Sequence, residues 1–77
     1  MFTVYAIKSS GRNYIYVGLT SELNVRIKRH NNGGNTTTKA YAPFRLIYTK
    51  DFMCRSEARL HEKYLKSGCG KEFLKSL

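Results

Sequence analysis

Thr3-Val4-Tyr5-Ala6-Ile7 and Tyr14-Ile15-Tyr16-Val17-Gly18-Leu19 are two β-rich runs separated by Ser9-Ser10-Gly11-Arg12-Asn13. β-Branched and aromatic side chains fit a pleated surface, and the polar segment between them has turn chemistry. The pair therefore reads as an antiparallel hairpin with a long turn. Tyr5 shares a strand face with Thr3 and Ile7, and Tyr14 and Tyr16 share theirs with Gly18. Taken singly, each tyrosine is a strand former covering a sheet. Two tyrosines facing each other across a hairpin in a basic chain suit more than that: their hydroxyls can move a proton or hold a phosphate.

Working outward, Thr20 or Ser21 is placed to cap a helix, with Glu22 in its first turn and Lys28, Arg29 and His30 in its last. Gly33 or Gly34 ends it. Leu23 and Ile27 mark the inward stripe, and Arg26 and His30, four residues apart, lie on one side. Alone, Arg26 is a solvated charge and His30 a helix-end histidine favoured by the dipole. Together, aimed at a tyrosine-bearing hairpin, they become candidate site residues. The stretch from Asn31 to Thr38 has turn chemistry and no apolar period, so it reads as a surface loop. Its Gly33-Gly34 pair lacks a GKS/T signature and Lys39 arrives too late, so no nucleotide cofactor is expected. The Thr36 to Lys39 part suits contact with a nucleic-acid backbone.

Pro43 opens a third strand, Phe44 to Tyr48, and a second helix follows from Arg55 to Lys66, ended by Gly68. Cys69-Gly70 reads as a break, and Lys71-Glu72-Phe73-Leu74-Lys75 as one more helical turn with Phe73 and Leu74 packing back. The predicted order is β-β-α-β-α-α. This is an α+β fold: a small three-stranded antiparallel sheet packed with two main helices and a short C-terminal helix. In the second helix Arg55, Arg59, Lys63 and Lys66 gather on one side, and Ala58, Leu60, Tyr64 and Leu65 define the other. Glu57 falls in the apolar arc of the first turn and Glu62 at its boundary, within i,i+4 reach of Lys66. Periodicity alone does not choose between the two as a functional carboxylate.

A length of 77 residues allows a single domain, 1–77, with a marginal core that a dimer or a bound polymer would support. Lys and Arg number 14 against 5 Asp and Glu, a formal charge of +9, which favours a polyanion and first of all nucleic acid. The apolar runs are too short for a transmembrane helix, and the opening Met1-Phe2-Thr3-Val4-Tyr5 alternates like a strand rather than like a signal peptide. A cytoplasmic protein without a membrane partner is expected. Cys54 and Cys69 have neither metal-site spacing nor a disulfide framework and read as reduced thiols.

The ordered set of Val4-Tyr5, Tyr16-Val17-Gly18, Leu19-Thr20 with Leu23, Arg26, His30 and Asn31, Thr38-Lys39 with Pro43, and Arg55-Ser56-Glu57-Ala58 with Glu62, Lys63, Leu65 and Lys66 resembles the GIY-YIG nuclease superfamily, in its small stand-alone branch. The resemblance runs from Thr3 to about Leu74. Phe2-Thr3-Val4-Tyr5 stands where the family has Gly-Ile-Tyr, and Tyr-Val-Gly where it has Tyr-Ile-Gly. Both changes keep the tyrosines. The family's tyrosines fall on Tyr5 and Tyr16; Tyr14 is a rival for the second, but Tyr16 has the Gly two residues later. Its arginine falls on Arg26, its histidine on His30, and its metal-binding glutamate on Glu62 rather than Glu57. Some members carry a late Asn that supports the glutamate, and the tail here offers no equivalent.

The resemblance implies a metal-dependent DNA endonuclease. Tyr5 would be the general base, acidified by Arg26, His30 and the basic field, with His30 taking the proton; Tyr16 would position water or phosphate. Arg26 would stabilise charge on the phosphoryl oxygens and Glu62 would hold Mg²⁺ or Mn²⁺. Asp51, Glu22 and Glu72 are peripheral, so one metal is more economical than two. Arg12, Lys28, Arg29, Lys39 and Arg59 are the expected phosphate contacts, which carry affinity but no sequence reading. Branched or damaged duplex DNA is among the candidate substrates. Specificity is left to DNA shape, a homodimer or a partner protein. The alternative is a non-catalytic nucleic-acid-binding module on the same scaffold, and a third reading is a tyrosine that attacks phosphorus covalently.

Overall fold

Alternation along the first strand sends Val4 and Ala6 to one face and Tyr5 and Ile7 to the other, and all four are buried. A strand buried on both faces has to be central, with helices above and below it. The structure, a computed structural model, describes residues 1–33 and 39–77. Its elements are β1 (Phe2–Ser9), β2 (Ile15–Thr20), α1 (Leu23–Asn31), a 3₁₀ turn (Lys39–Tyr41), β3 (Phe44–Phe52), α2 (Arg55–Lys66) and α3 (Gly68–Lys75). The sheet order is β2-β1-β3, antiparallel throughout.

Two cores result. On one face Val4, Ala6 and Val17 pack with Ala58 and Leu65 of α2 and Leu74 of α3. On the other Tyr5, Ile7 and Phe44 pack with Tyr14, Tyr16, Leu23, Ile27 and Tyr41. The pairing of β3 with β1 shifts between Ala6, opposite Tyr48, and Ile7, opposite Leu46. This bulge at Ile47 reverses the facing of β3, so Phe44 joins the tyrosine face while Tyr48 and Phe52 join the opposite one.

Several expectations are corrected in detail. Thr20 does accept the amide of Glu22, at 3.0 Å, but α1 starts at Leu23, so Glu22 is its N-cap and not a first-turn residue. At the other end Gly33 takes the left-handed conformation, φ +75°, that suits glycine after a helix. Gly34, the alternative stop, and the Gly34 to Thr38 part of the expected loop lie outside the described residues. β3 continues to Phe52, four residues past Tyr48. Cys69-Gly70 is not a break: both lie in α3, whose first turn is capped by Ser67. Gly70 is there because a Cβ would run into the backbone of Tyr64 and Leu65, so it lets α3 cross close over the end of α2. Leu74 packs as expected, whereas Phe73 is partly exposed and meets Tyr48 edge-on at 5.6 Å. In α2 the buried residues are Ala58, Glu62 and Leu65, while Leu60, Tyr64 and Glu57 are exposed. The inward stripe is rotated from the expected one because Glu62, not Leu60, fills the position beside Ala58. Cys54 and Cys69 are free and exposed. Among the described residues no helix is long and apolar enough to cross a membrane.

Candidate active site

The centre of the tyrosine face is a phenol–imidazole pair. Tyr5 Oη lies 3.0 Å from His30 Nε2, and both side chains are buried. His30 follows Leu23, Arg26 and Ile27 at helical spacings of seven, four and three, so the stripe that docks α1 carries the imidazole inward. Asn31 fixes this end of the helix, accepting the Phe44 amide on Oδ1 at 2.6 Å. Around the pair, the Tyr16 ring stands 4.8 Å from His30 and 6.3 Å from Tyr5, and Phe44 meets His30 edge-on at 6.0 Å.

Charges reach this pair from both layers. Burial pushes the Tyr5 phenol well above its ordinary range; Tyr16 and Glu62 push the same way, and Arg26 pulls against them. Acidification was the expectation, and Arg26 does act in that sense, but desolvation outweighs it. His30 is lowered, first by burial and then by the Arg26 and Arg29 guanidiniums. The phenol therefore keeps its proton and the imidazole stays neutral; in the tautomer protonated on Nδ1, Tyr5 Oη donates to His30 Nε2.

Glu62 comes from the opposite layer. Its carboxylate is buried and faces Lys66 Nζ at 3.3 Å and Arg59 at 3.6 Å, as the i,i+4 spacing anticipated for Lys66. Arg55, Arg59, Glu62 and Lys66 form one stripe along α2. At its start Arg55 lines a notch of about 200 Å³ with Arg26, Thr20 and Leu19. At its end Lys66 lines a groove with Tyr16. Arg26 of α1 and Arg55 of α2, from opposite faces of the sheet, thus share a notch at the Leu19–Thr20 end of β2.

Tyr5, Tyr16 and His30 are in direct contact; Arg26 and Glu62 join them electrostatically. The expected phosphate contacts are more dispersed. Lys28 and Arg29 are exposed on the last turn of α1, and Lys39 begins the 3₁₀ turn. Arg59 pairs with Glu62 at 3.6 Å. Arg12 sits apart at the hairpin turn, 5.7 Å over the Tyr41 ring, in a depression it shares with Lys8 and Arg45. The sequence reading missed Arg55 and Lys66 as members of the site; their positions seven before and four after Glu62 were the available signal.

Among the described residues no group of three or more His, Cys, Asp and Glu side chains is placed to hold a metal. A divalent ion here would have Glu62 as its protein ligand. The donor chemistry fits one hydrated hard cation: a carboxylate oxygen, with its ion pairs made by side chains more than half exposed that can swing away.

A sequence model described as the GIY-YIG catalytic domain matches residues 1–73. The chain is 39% identical over 64 residues to a UPF0213 protein of Clostridium perfringens, covering 82% of this chain and 68% of that one. It is 32% identical over 75 residues to a UPF0213 protein of Staphylococcus epidermidis, covering 96% and 90%. The solution NMR structure of a UPF0213 protein from Bacillus halodurans superposes with a TM-score of 0.58 at 35% identity, covering 99% of this chain and 84% of that one.

Proposed function

The chain belongs to the GIY-YIG family, and from that premise we propose that it is a metal-dependent endonuclease that hydrolyses DNA phosphodiester bonds, with Tyr5, Tyr16, Arg26, His30 and Glu62 as its working residues. The observation that carries this reading is the buried Tyr5–His30 hydrogen bond, with a guanidinium and a carboxylate both within electrostatic reach of the phenol.

The charges argue for a relay rather than a free phenolate. Water approaching phosphorus gives a proton to Tyr5 Oη as Tyr5 passes its own to neutral His30 Nε2. The water oxygen bonds to phosphorus, the bond to the leaving oxygen breaks, and that oxygen is protonated from solvent. The lowered imidazole is neutral and has a lone pair to receive the proton; burial of both groups opposes the transfer, so it runs concertedly with attack, with the negative charge of the bound phosphate offsetting that cost at the imidazolium. Tyr16 orients the water or a phosphoryl oxygen. Arg26 faces the charge that develops on the non-bridging oxygens. Glu62 would hold one Mg²⁺ or Mn²⁺, which supplies positive charge at the leaving oxygen when bound. Lys28, Arg29, Arg12 and Lys39 add salt-sensitive attraction for the backbone.

A binding module would share the +9 charge but has no use for a buried carboxylate among cations. The experiment that separates the two incubates the chain with duplex, branched and single-stranded DNA, with Mg²⁺, Mn²⁺ or chelator, beside Glu62→Ala. Metal-dependent cleavage by the native chain and none by Glu62→Ala supports the nuclease. Binding without cleavage under every condition supports the module.

A further inference from the structure

At the hairpin end of the sheet Lys8 of β1 stands directly opposite Arg45 of β3. Residues paired in this way put their side chains on the same face, with Cβ atoms about 5 Å apart, and like charges so placed destabilise a sheet. A threonine at either position would suit the strand better. Neither cation has an ion pair among the described residues. Both line a depression of about 410 Å³ with Arg12, Ser9, Ser10 and Asn13 of the hairpin turn. None of the chain's 5 carboxylates lines it. Asp51 accepts the Thr3 hydroxyl near the other end of β1, Glu22 precedes α1, and the remaining glutamates lie on α2 and α3. The turn that frames the depression is tied down. The Ser9 and Ser10 amides donate to the Tyr14 and Pro43 carbonyls at 2.9 and 3.0 Å. Ser9 Oγ donates to the Tyr41 carbonyl at 2.6 Å and accepts the Arg12 amide at 3.2 Å.

Three cations are thus gathered on a fixed frame with no carboxylate to balance them, at a cost to folding. A bound anion offsets that cost: it relieves the repulsion and accepts charge-assisted hydrogen bonds from an ammonium and from planar guanidiniums. We propose that Lys8, Arg12 and Arg45 form a second phosphate-binding site, separate from the candidate active site. Tyr5 lies three residues before Lys8 on β1, and strand alternation sends the two side chains to opposite faces of the sheet. The phosphate held here is therefore not the one at the reacting bond. The group recognised is a phosphoryl anion, carried by a nucleic-acid backbone at a distance from that bond or by a free phosphate compound. The site needs neither the proton relay nor a metal, so it does not rest on the nuclease reading.

The test follows thermal unfolding by circular dichroism in metal-free buffer of fixed ionic strength, with and without pyrophosphate. It compares the native chain, Arg45→Thr, and Lys63→Gln, which removes one charge elsewhere. Without pyrophosphate Arg45→Thr is expected to melt about 2–4 °C above the native chain, since a like-charge pair has gone. Pyrophosphate is expected to raise the midpoints of the native chain and Lys63→Gln alike, with an apparent affinity about tenfold weaker in Arg45→Thr. Fluorescence anisotropy of a labelled blunt duplex, in the same metal-free buffer over a range of salt, is the second arm. Arg45→Thr is expected to bind it about tenfold more weakly than Lys63→Gln does, with a log–log salt slope smaller than the native one by about 0.9 for one lost contact. Discrimination by the duplex assigns the phosphate to a backbone, and discrimination by pyrophosphate alone assigns it to a free compound. Equal responses of Arg45→Thr and Lys63→Gln in both arms overturn the proposal. Should Arg45→Thr fail to fold, amide NMR of the native chain replaces it. Pyrophosphate must then shift the Lys8, Arg12 and Arg45 amides before those of Lys63 and Lys66, and uniform shifts overturn the site. A failed test leaves the nuclease reading standing, because neither variant touches its working residues.

Discussion

The Tyr5 phenol lies over Gly18. The two residues are paired across β1 and β2, and a Cβ on Gly18 would stand 2.5 Å from Tyr5 Oη. The missing side chain is what lets the hydroxyl lean across the outer strand to meet His30. A glycine inside a strand costs stability, so its presence here has a positional reason.

Gly18→Ala is therefore expected to displace the phenol. Stability should fall by about 1–3 kcal/mol, the usual range for overpacking. Cleavage should fall further than that loss explains at a temperature where the variant is fully folded. Urea unfolding and cleavage rates on the same preparation check this.

His30→Gln is expected to separate hydrogen bonding from proton acceptance. The amide can still accept a bond from Tyr5, but it cannot take the proton. Cleavage should drop by about 10²–10⁴-fold, with DNA affinity in metal-free buffer unchanged.

Acid should destabilise the fold through two histidines. His30 and His61 both have folded values below their unfolded one, chiefly through burial. Depressed values of this kind give stability that is present above the unfolded value of about 6.5 and lost as pH falls through the folded ones. The urea midpoint should decline from pH 7.5 to pH 5, with a shallower decline in His61→Gln and a shallower one again when His30→Gln is added. At the alkaline end Tyr5, Tyr14 and Tyr48 are raised by burial. Their contribution is complete below about pH 10 and lost as pH rises beyond it.

Glu62→Gln should free Arg59 and Lys66 and remove a negative charge from a cationic surface. Stability should change by no more than about 1 kcal/mol, since both partners are exposed. DNA should bind slightly more tightly, Mn²⁺ binding measured by calorimetry should be lost, and cleavage should cease.

The hairpin, the element order and the docking stripe of α1 were legible because each rests on local chemistry: alternating β-formers, turn residues, and apolar side chains at helical spacing. Arg55–Lys66 was readable as a helix in its approximate bounds, but not which side faced inward, because a buried Glu62 reads as surface in any hydropathy pattern. Gly70 read as a stop for a similar reason. Its role is a close helix crossing, which only the tertiary arrangement reveals. Tyr5, Tyr16, Arg26 and His30 were within reach of strand and helix periodicity. Choosing Glu62 over Glu57 needed the family resemblance. The direction of the Tyr5 shift was misjudged because net charge is visible in a sequence and desolvation is not.

The most direct measurement is the single-turnover cleavage rate of Tyr5→Phe against the native chain, with Mg²⁺ and at saturating DNA. The phenyl ring keeps the packing and gives up one buried hydrogen bond, worth about 1 kcal/mol, so folding and DNA binding should persist. A rate at least about a hundredfold lower, with affinity retained, is the predicted result. An unchanged rate would remove Tyr5 from the chemistry and the proton relay with it.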